Sequence, residues 1–224
     1  MIRALPYCAY LEDPEISISA TGVNGAAIKV FSAGRLRVPW SEVEWPFAPE
    51  KMQSHAVEFH NVVSLVFTRR AVAPFRLLSV FESQESLFGF VNDHAPEFVK
   101  DLERLRDCVQ MECVLYFVGD RGVPDASSGL VYLQRKAETL STIEGTARQV
   151  EAALRTVAEE VRTKQVKSGR RVFALVRRGE EDVFRRTVLG VALPEGVSRR
   201  TSGPWPASEF LSEAMKFPQQ AGAK

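Results

Sequence analysis

Cysteine is scarce in this sequence. Only Cys8, Cys108 and Cys113 occur, an odd number with no C-x-x-C spacing. That argues against a disulfide framework and against a structural zinc site. Charge of one sign is missing too: 29 basic residues meet 28 acidic ones, a net charge of +1. Nothing global therefore calls for a nucleic acid or a membrane surface. No run approaches the roughly 18 uncharged apolar residues that a membrane span needs. The opening MIRALPYCAYLED meets Glu12 and Asp13 too soon for a signal peptide, so the expected setting is the reducing cytoplasm. Histidine is limited to His55, His60 and His94. The first two are five apart, on different faces of one helix, and no HExxH motif is present, so no metal site is expected. The patterns GxGxxG, GxxxxGK[ST] and GxSxG are absent. Gly22-Val23-Asn24-Gly25 and Gly119-Asp120-Arg121-Gly122 read as turns. No nucleophile comes with an evident base. The sequence thus predicts a non-enzyme with no cofactor and no small-molecule substrate.

What is present suits a folded protein. The chain has 224 residues, 45% of them hydrophobic, enough for one large domain or two small ones. Residues 6–11 read as a first strand stopped by Glu12-Asp13-Pro14. Residues 26–32 and 36–40 flank Ala33-Gly34-Arg35 as a hairpin, and Pro39 places the second strand at an edge or at its own end. Pro49 opens a helix with Ala56, Phe59, Val63 and Val66 on one face, and Arg69-Arg70 suits its C-terminus. Residues 72–81 are strand-like, with Pro74 making them irregular. Ser83 caps a further helix, marked by Leu87, Val91, His94, Phe98, Leu102 and Leu105, which Pro96 kinks or splits.

Residues 109–118 read as a strand and 119–128 as a linker rich in Gly, Pro, Asp and Ser. A long helix follows, with Leu133, Ala137, Leu140, Ala147, Val150, Leu154, Val157 and Val161 on one stripe and Gly169 as its C-cap. Residues 171–176 form a strand. Glu180-Glu181-Asp182 start a helix, where charge compensation explains them better than a cation site. A last strand spans 197–202, and the tail beyond 217 is expected to fray. This order predicts an α+β protein with a ferredoxin-like second half.

Residues 162–200 hold eleven Lys/Arg against four Asp/Glu, including four Arg-Arg pairs from Arg170-Arg171 to Arg199-Arg200. Neighbouring strand residues point to opposite faces, so the pairs cannot all join one patch, and nucleic-acid binding is disfavoured. Phe173 and Phe184 are nearby, but the core can claim both. The segment Thr201-Ser202-Gly203-Pro204-Trp205-Pro206 holds Trp205 between two prolines, either as a docking element or as a lid on the domain's own core.

Three segments together resemble one family. Thr201-Ser202-Gly203-Pro204-Trp205-Pro206, with Phe210 beyond it, is similar to the TGPWPPYSF signature of the gas vesicle F/L proteins (GvpL/GvpF). Ala73-Pro74-Phe75-Arg76, followed by Val80-Phe81, resembles that family's LPFRFGTVF segment. Gly129-Leu130-Val131-Tyr132-Leu133 resembles its GRAYL segment. The three stand in the family's order and span most of the chain, with departures at Leu77-Leu78-Ser79 and Ala207-Ser208-Glu209.

The resemblance implies an N-terminal mixed α+β domain at 1–107, a modified ferredoxin-like domain at 108–217 and a frayed tail at 218–224. It implies an accessory or minor structural role in making gas vesicles, in the cytoplasm or on the vesicle. The implied partners are the hydrophobic shell protein and other accessory proteins, with no membrane partner. Phe75, Arg76, Tyr132, Gly203, Pro204, Trp205 and Pro206 are the candidate interaction or signature residues. Arg76, among apolar neighbours, is expected to be buried or half-buried, so its loss should hurt stability first. The alternative is a ferredoxin-like interaction module serving another protein assembly or a nucleic acid.

Overall fold

Strands β1 (Ile2–Pro6) and β2 (Cys8–Leu11) follow one another with only Tyr7 between them. Both pair antiparallel with the same strand, β4 (Leu36–Glu44). The register moves by one residue between the pairs Pro6↔Trp40 and Tyr10↔Arg37, so the first strand carries an extra residue, a bulge at Tyr7. On its other side β4 pairs with β3 (Lys29–Ala33), across a turn of Gly34 and Arg35 in which Gly34 has φ +59°. Pro39 therefore lies in a central strand, contrary to the edge position that the sequence predicts. It is accommodated because the neighbouring strand bulges there, and Tyr7 N–H donates to the Pro39 carbonyl at 2.9 Å. This computed structural model describes residues 1–12, 18–118, 129–167 and 169–212, the side chains of 129–136 excepted. The Asp13-Pro14 stop, the 119–128 linker and the tail fall outside the described residues.

Two units divide the chain: Met1–Asp107 joined by the stretch from Pro206, and Cys108–Trp205. In the first, a 3-10 turn at Pro49–Lys51 leads into α1 (Met52–Phe67), which buries His55, Phe59, Val62, Val63, Val66 and Phe67, while Ala56 faces solvent. Only Ala73–Pro74 (β5) of the strand-like 72–81 segment is strand, and it pairs with β2. Ser83 and Ser86 form a reciprocal capping box at the start of α2 (Gln84–Asp93). Pro96 then sits in the first turn of a separate helix, α3 (Ala95–Arg104), so the pattern is split rather than kinked. Trp40, Tyr7, Leu5, Leu36, Leu87, Phe98, Leu102 and Leu105 fill the core. Phe88 stacks on Phe31 at 3.8 Å and meets Trp40 edge-on at 5.6 Å. The sequence places 206–217 in the second domain, but the described part of it groups with the first unit. Ala207, Phe210 and Leu211 are buried, Ser212 N–H donates to Asp101 at 2.7 Å, and Arg104 donates to the Phe210 carbonyl.

The second unit runs β6 (Cys108–Phe117), α4 (Gly129–Leu154), β7 (Glu160–Val166), β8 (Gly169–Arg177), α5 (Glu181–Gly190) and β9 (Val197–Trp205). The sheet order β7-β8-β6-β9, antiparallel throughout, with two helices in β-α-β-β-α-β succession, is the ferredoxin-like arrangement. Val109, Met111, Cys113, Leu115, Val172, Ala174 and Val176 are buried on one face, and α4 and α5 pack on the sheet. The long helix is shorter than its stripe predicts. Ala147, Val150 and Leu154 are buried, together with Ile143, while Ala137 and Leu140 face outward. The helix stops at Leu154, and Val161 belongs to β7, a strand that the sequence pattern hides. Glu159 N–H already donates to the Leu175 carbonyl, so β8 claims this segment as its edge partner over the helical propensity of its side chains. Gly169 is not a helix cap but the first residue of β8, where a Cβ would stand 1.9 Å from the Leu115 carbonyl oxygen.

Candidate interaction surface

The segment Ala73-Pro74-Phe75-Arg76 starts by pairing and then leaves the sheet. Phe75 N–H donates to the Tyr7 carbonyl at 2.9 Å, and the ring is buried, 6.0 Å from Phe98 and 6.5 Å from Phe90. Phe75 is thus a core residue. Arg76 is exposed, which corrects the expectation of a buried or half-buried side chain. A turn closed by Ser79 N–H donating to the Arg76 carbonyl lifts the side chain away, and Leu78 in this turn is 53% exposed. The chain rejoins the sheet at Phe81, which exchanges two backbone hydrogen bonds with Ala4 at 2.8 and 3.0 Å. The result is a short projection, pinned at both ends, that carries a cation next to an apolar side chain.

The Gly-Pro-Trp-Pro segment is not a loop but the end of a strand. β9 continues to Trp205, which lies opposite Gln110 across a register shift. Gly203 has φ +119°, and a Cβ there would stand 2.7 Å from Met111 Sδ and 2.9 Å from the Gln110 carbonyl oxygen, so only glycine fits. The peptide between Gly203 and Pro204 is cis. Arg185 Nη2 donates to the Gly203 carbonyl at 3.2 Å. The Trp205 indole N–H donates to Ser202 Oγ at 3.2 Å, and the residue remains 39% exposed. Pro204 is exposed and Pro206 half-buried. Tyr132 lies near the start of α4, and its side chain is outside the described residues. These segments belong to different units, and Leu78 was found only through the structure, since LLS in a sequence reads as strand.

The Tyr7 hydroxyl and the Cys8 and Cys113 thiols are held inside. The Tyr7 hydroxyl donates to Ser41 Oγ at 3.0 Å and accepts from Val23 N–H at 2.9 Å; burial raises its pKa, partly offset by these bonds. The Ser41 hydroxyl donates in turn to the Ala27 carbonyl at 2.9 Å. Burial pushes the Cys8 thiol up strongly and the Cys113 thiol up to about 11, the nearby Arg199 cation opposing the second shift. Cys108 is half-buried. His55 is buried edge-on against Phe47, and His60 shares a hydrogen bond with Ser64. Among the described residues no group of three or more His, Cys, Asp or Glu could hold a metal, and no helix is long and apolar enough to cross a membrane.

The arginine pairs are dispersed. Arg170 meets Glu144, Arg171 meets Glu112, Arg177 meets Glu159 and Arg185 meets Asp182. Arg199 Nη1 donates to the carbonyls of Val188 at 2.5 Å and Val191 at 2.6 Å, and Nη2 to that of Leu189 at 2.7 Å, closing the C-terminus of α5. Phe173 and Phe184 are buried and offer no stacking platform.

The family profile described as "Gas vesicle synthesis protein GvpL/GvpF" matches residues 5–212. The chain belongs to the gas vesicle GvpL/GvpF family. The fold agrees with crystal structures of two proteins of that kind. GvpF from Anabaena sp. PCC7120 superposes with a TM-score of 0.77 at 11% identity, covering 95% of this chain and 97% of that one. GvpF from Microcystis aeruginosa gives 0.74 at 10% identity, covering 95% and 100%. None of the curated proteins matches by sequence. At such identities the likeness to GvpF is one of fold, and the family places the chain among gas vesicle proteins.

Proposed function

We propose that this chain is a non-enzymatic accessory protein of gas vesicle assembly, acting in the cytoplasm or on the growing vesicle by holding the hydrophobic shell protein or a sister accessory protein. The observation that carries the reading is Trp205. A partly exposed indole, fixed on a strand by Ser202 and flanked by Pro204 and Pro206, offers a large contact area with little freedom left to lose. The projection with Arg76 and Leu78 offers a second, smaller contact. A protein that polymerises through apolar surface needs that surface covered until assembly, and apolar capture supplies the cover without chemistry. The buried Cys8 and Cys113 thiols and the engaged Tyr7 hydroxyl support a binding role over a catalytic one.

The test is capture of the purified shell protein on immobilised wild type, Trp205→Ala and Arg76→Ala. Capture that persists in high salt and weakens about tenfold or more in Trp205→Ala, with the circular dichroism melt unchanged, supports the reading. Capture lost at modest salt, or retained in full by Trp205→Ala, rejects it.

A further inference from the structure

A buried nitrogen of the first unit lacks a hydrogen bond. His55, only 4% exposed, stands near the start of α1 with its ring edge-on to Phe47, and its Nδ1 has no partner among the described residues. An apolar ring would fill the same place without leaving a polar atom unsatisfied. His55 lines a cleft of about 260 Å³, together with residues from the end of β4 and from the 3-10 turn at Val23–Gly25. Ile2, Val23 and Phe47 give this cleft an apolar wall.

Charges of both signs reach the cleft, from different elements. Lys51 has near-helical backbone angles (φ −96°, ψ −4°) and stands four residues before His55, so the two share a face of the helix start. Glu42 and Glu44 flank the buried Val43 and share one side of β4. Lys29 already holds Glu42 at 2.7 Å. The Glu44 carboxylate and the Lys51 ammonium are on exposed residues, and neither makes a hydrogen bond or an ion pair among the described residues. An anion alone would be repelled by Glu44, and a cation alone by Lys51. Among the described residues no group of three or more His, Cys, Asp or Glu could hold a metal. A ligand with one positive and one negative end suits both free groups at once. The volume lies just under that of drug-sized sites, about 300–1,000 Å³, so the ligand is small.

We propose that this cleft binds a free α-amino acid with an apolar side chain. Lys51 and the Nδ1–H tautomer of His55 hold its carboxylate, Glu44 holds its ammonium group, and its side chain lies against Val23 and Phe47. Binding then gives the buried imidazole nitrogen the partner that the fold leaves out. Nothing in this site depends on the shell-protein reading, and either can fail alone.

The test is calorimetric titration of the full chain with L-leucine, L-leucinamide and N-acetyl-L-leucine at one pH and ionic strength. The first carries both charges, the second lacks the carboxylate and the third lacks the ammonium. The expected result is saturable binding of one leucine per chain, about tenfold or more tighter than either derivative. Glu44→Gln and Lys51→Gln should each weaken leucine about tenfold or more, as loss of a charged hydrogen bond does. Both positions are exposed, and an unchanged melting curve shows that these variants fold. His55→Phe should also weaken leucine while melting no lower than wild type, since it leaves no buried nitrogen unsatisfied. No saturable heat with leucine up to about 10 mM overturns the site. So does an affinity for leucine unaltered in either folded surface variant. Either derivative bound as tightly as leucine overturns the assignment to a free amino acid, and wild-type affinity in His55→Phe overturns the part given to the imidazole.

Discussion

Replacing Arg199 by alanine tests how the second unit closes one of its helices. The side chain rises from β9 and donates three hydrogen bonds to the last carbonyls of α5, those of Val188, Leu189 and Val191. The Leu189 bond is exposed, so water replaces it at little loss. The other two are partly buried, and a hydrogen bond to a charged group contributes about 1.5 kcal/mol at the low end. The cation also faces the negative end of α5, for about another 0.5 kcal/mol. The expected loss is about 3.5 kcal/mol, with Arg199→Lys recovering the dipole part but not the fan of donors. Urea unfolding followed by circular dichroism should show the midpoint falling by about 1.8 M for a slope of about 2 kcal/mol per M. Because the chain has two units, hydrogen exchange of the α5 amides should accompany it, speeding more than tenfold in the variant. A loss under about 0.5 kcal/mol, or a lysine variant as stable as wild type, would refute the reasoning.

Gly169→Ala should destabilise the second unit by about 3 kcal/mol, because the added carbon meets backbone at Leu115 and Tyr116 rather than a side chain that can turn away; thermal denaturation reads this directly. Tyr7→Phe should lose about 1–3 kcal/mol, since the Val23 N–H and the Ser41 hydroxyl are left in a buried place without their shared oxygen; a full-strength melt would show that the hydroxyl is not needed. The Cys113 thiol holds its proton to about 11 in the folded chain, against an ordinary 9.0. The unfolded chain then binds fewer protons between those values, so stability falls as pH rises from 9 to 11. The Cys113 share of the fall is up to about 2.7 kcal/mol and is what Cys113→Ala removes, the buried Cys8 thiol keeping its own share in both proteins; equal pH curves for the two proteins would dismiss it. Thiol reagents at pH 8 should label Cys108 first and reach Cys8 and Cys113 only on unfolding.

Much of the architecture is written locally. Gly34 between two alternating runs gives the β3–β4 hairpin, Ser83 gives the start of α2, and Pro96 gives the break before α3. The errors share a cause: long-range pairing decides them. Residues 160–166 carry Glu, Arg, Lys and Gln, good helix formers, and become strand only because β8 needs a partner at its edge. Pro39 is admitted to a central strand by an extra residue elsewhere in the chain. Arg76 looks internal beside Phe75 and Leu77, but a turn carries it outward. Signature residues around Trp205 were readable as a contiguous word, although their strand conformation was not.

The return of the chain at Pro206 has a consequence for biosynthesis. Along the chain the second unit interrupts the first, and Phe210, Leu211 and the Ser212 amide complete the first unit against α3. A nascent polypeptide can finish the inner unit while the outer one still lacks its final piece. Emergence from the ribosome therefore leaves the neighbourhood of Asp101 and Arg104 uncovered for the time taken to make about a hundred more residues, some 5–20 s at bacterial speeds. A stretch translated after the inner unit then serves as the clasp of a part translated before it.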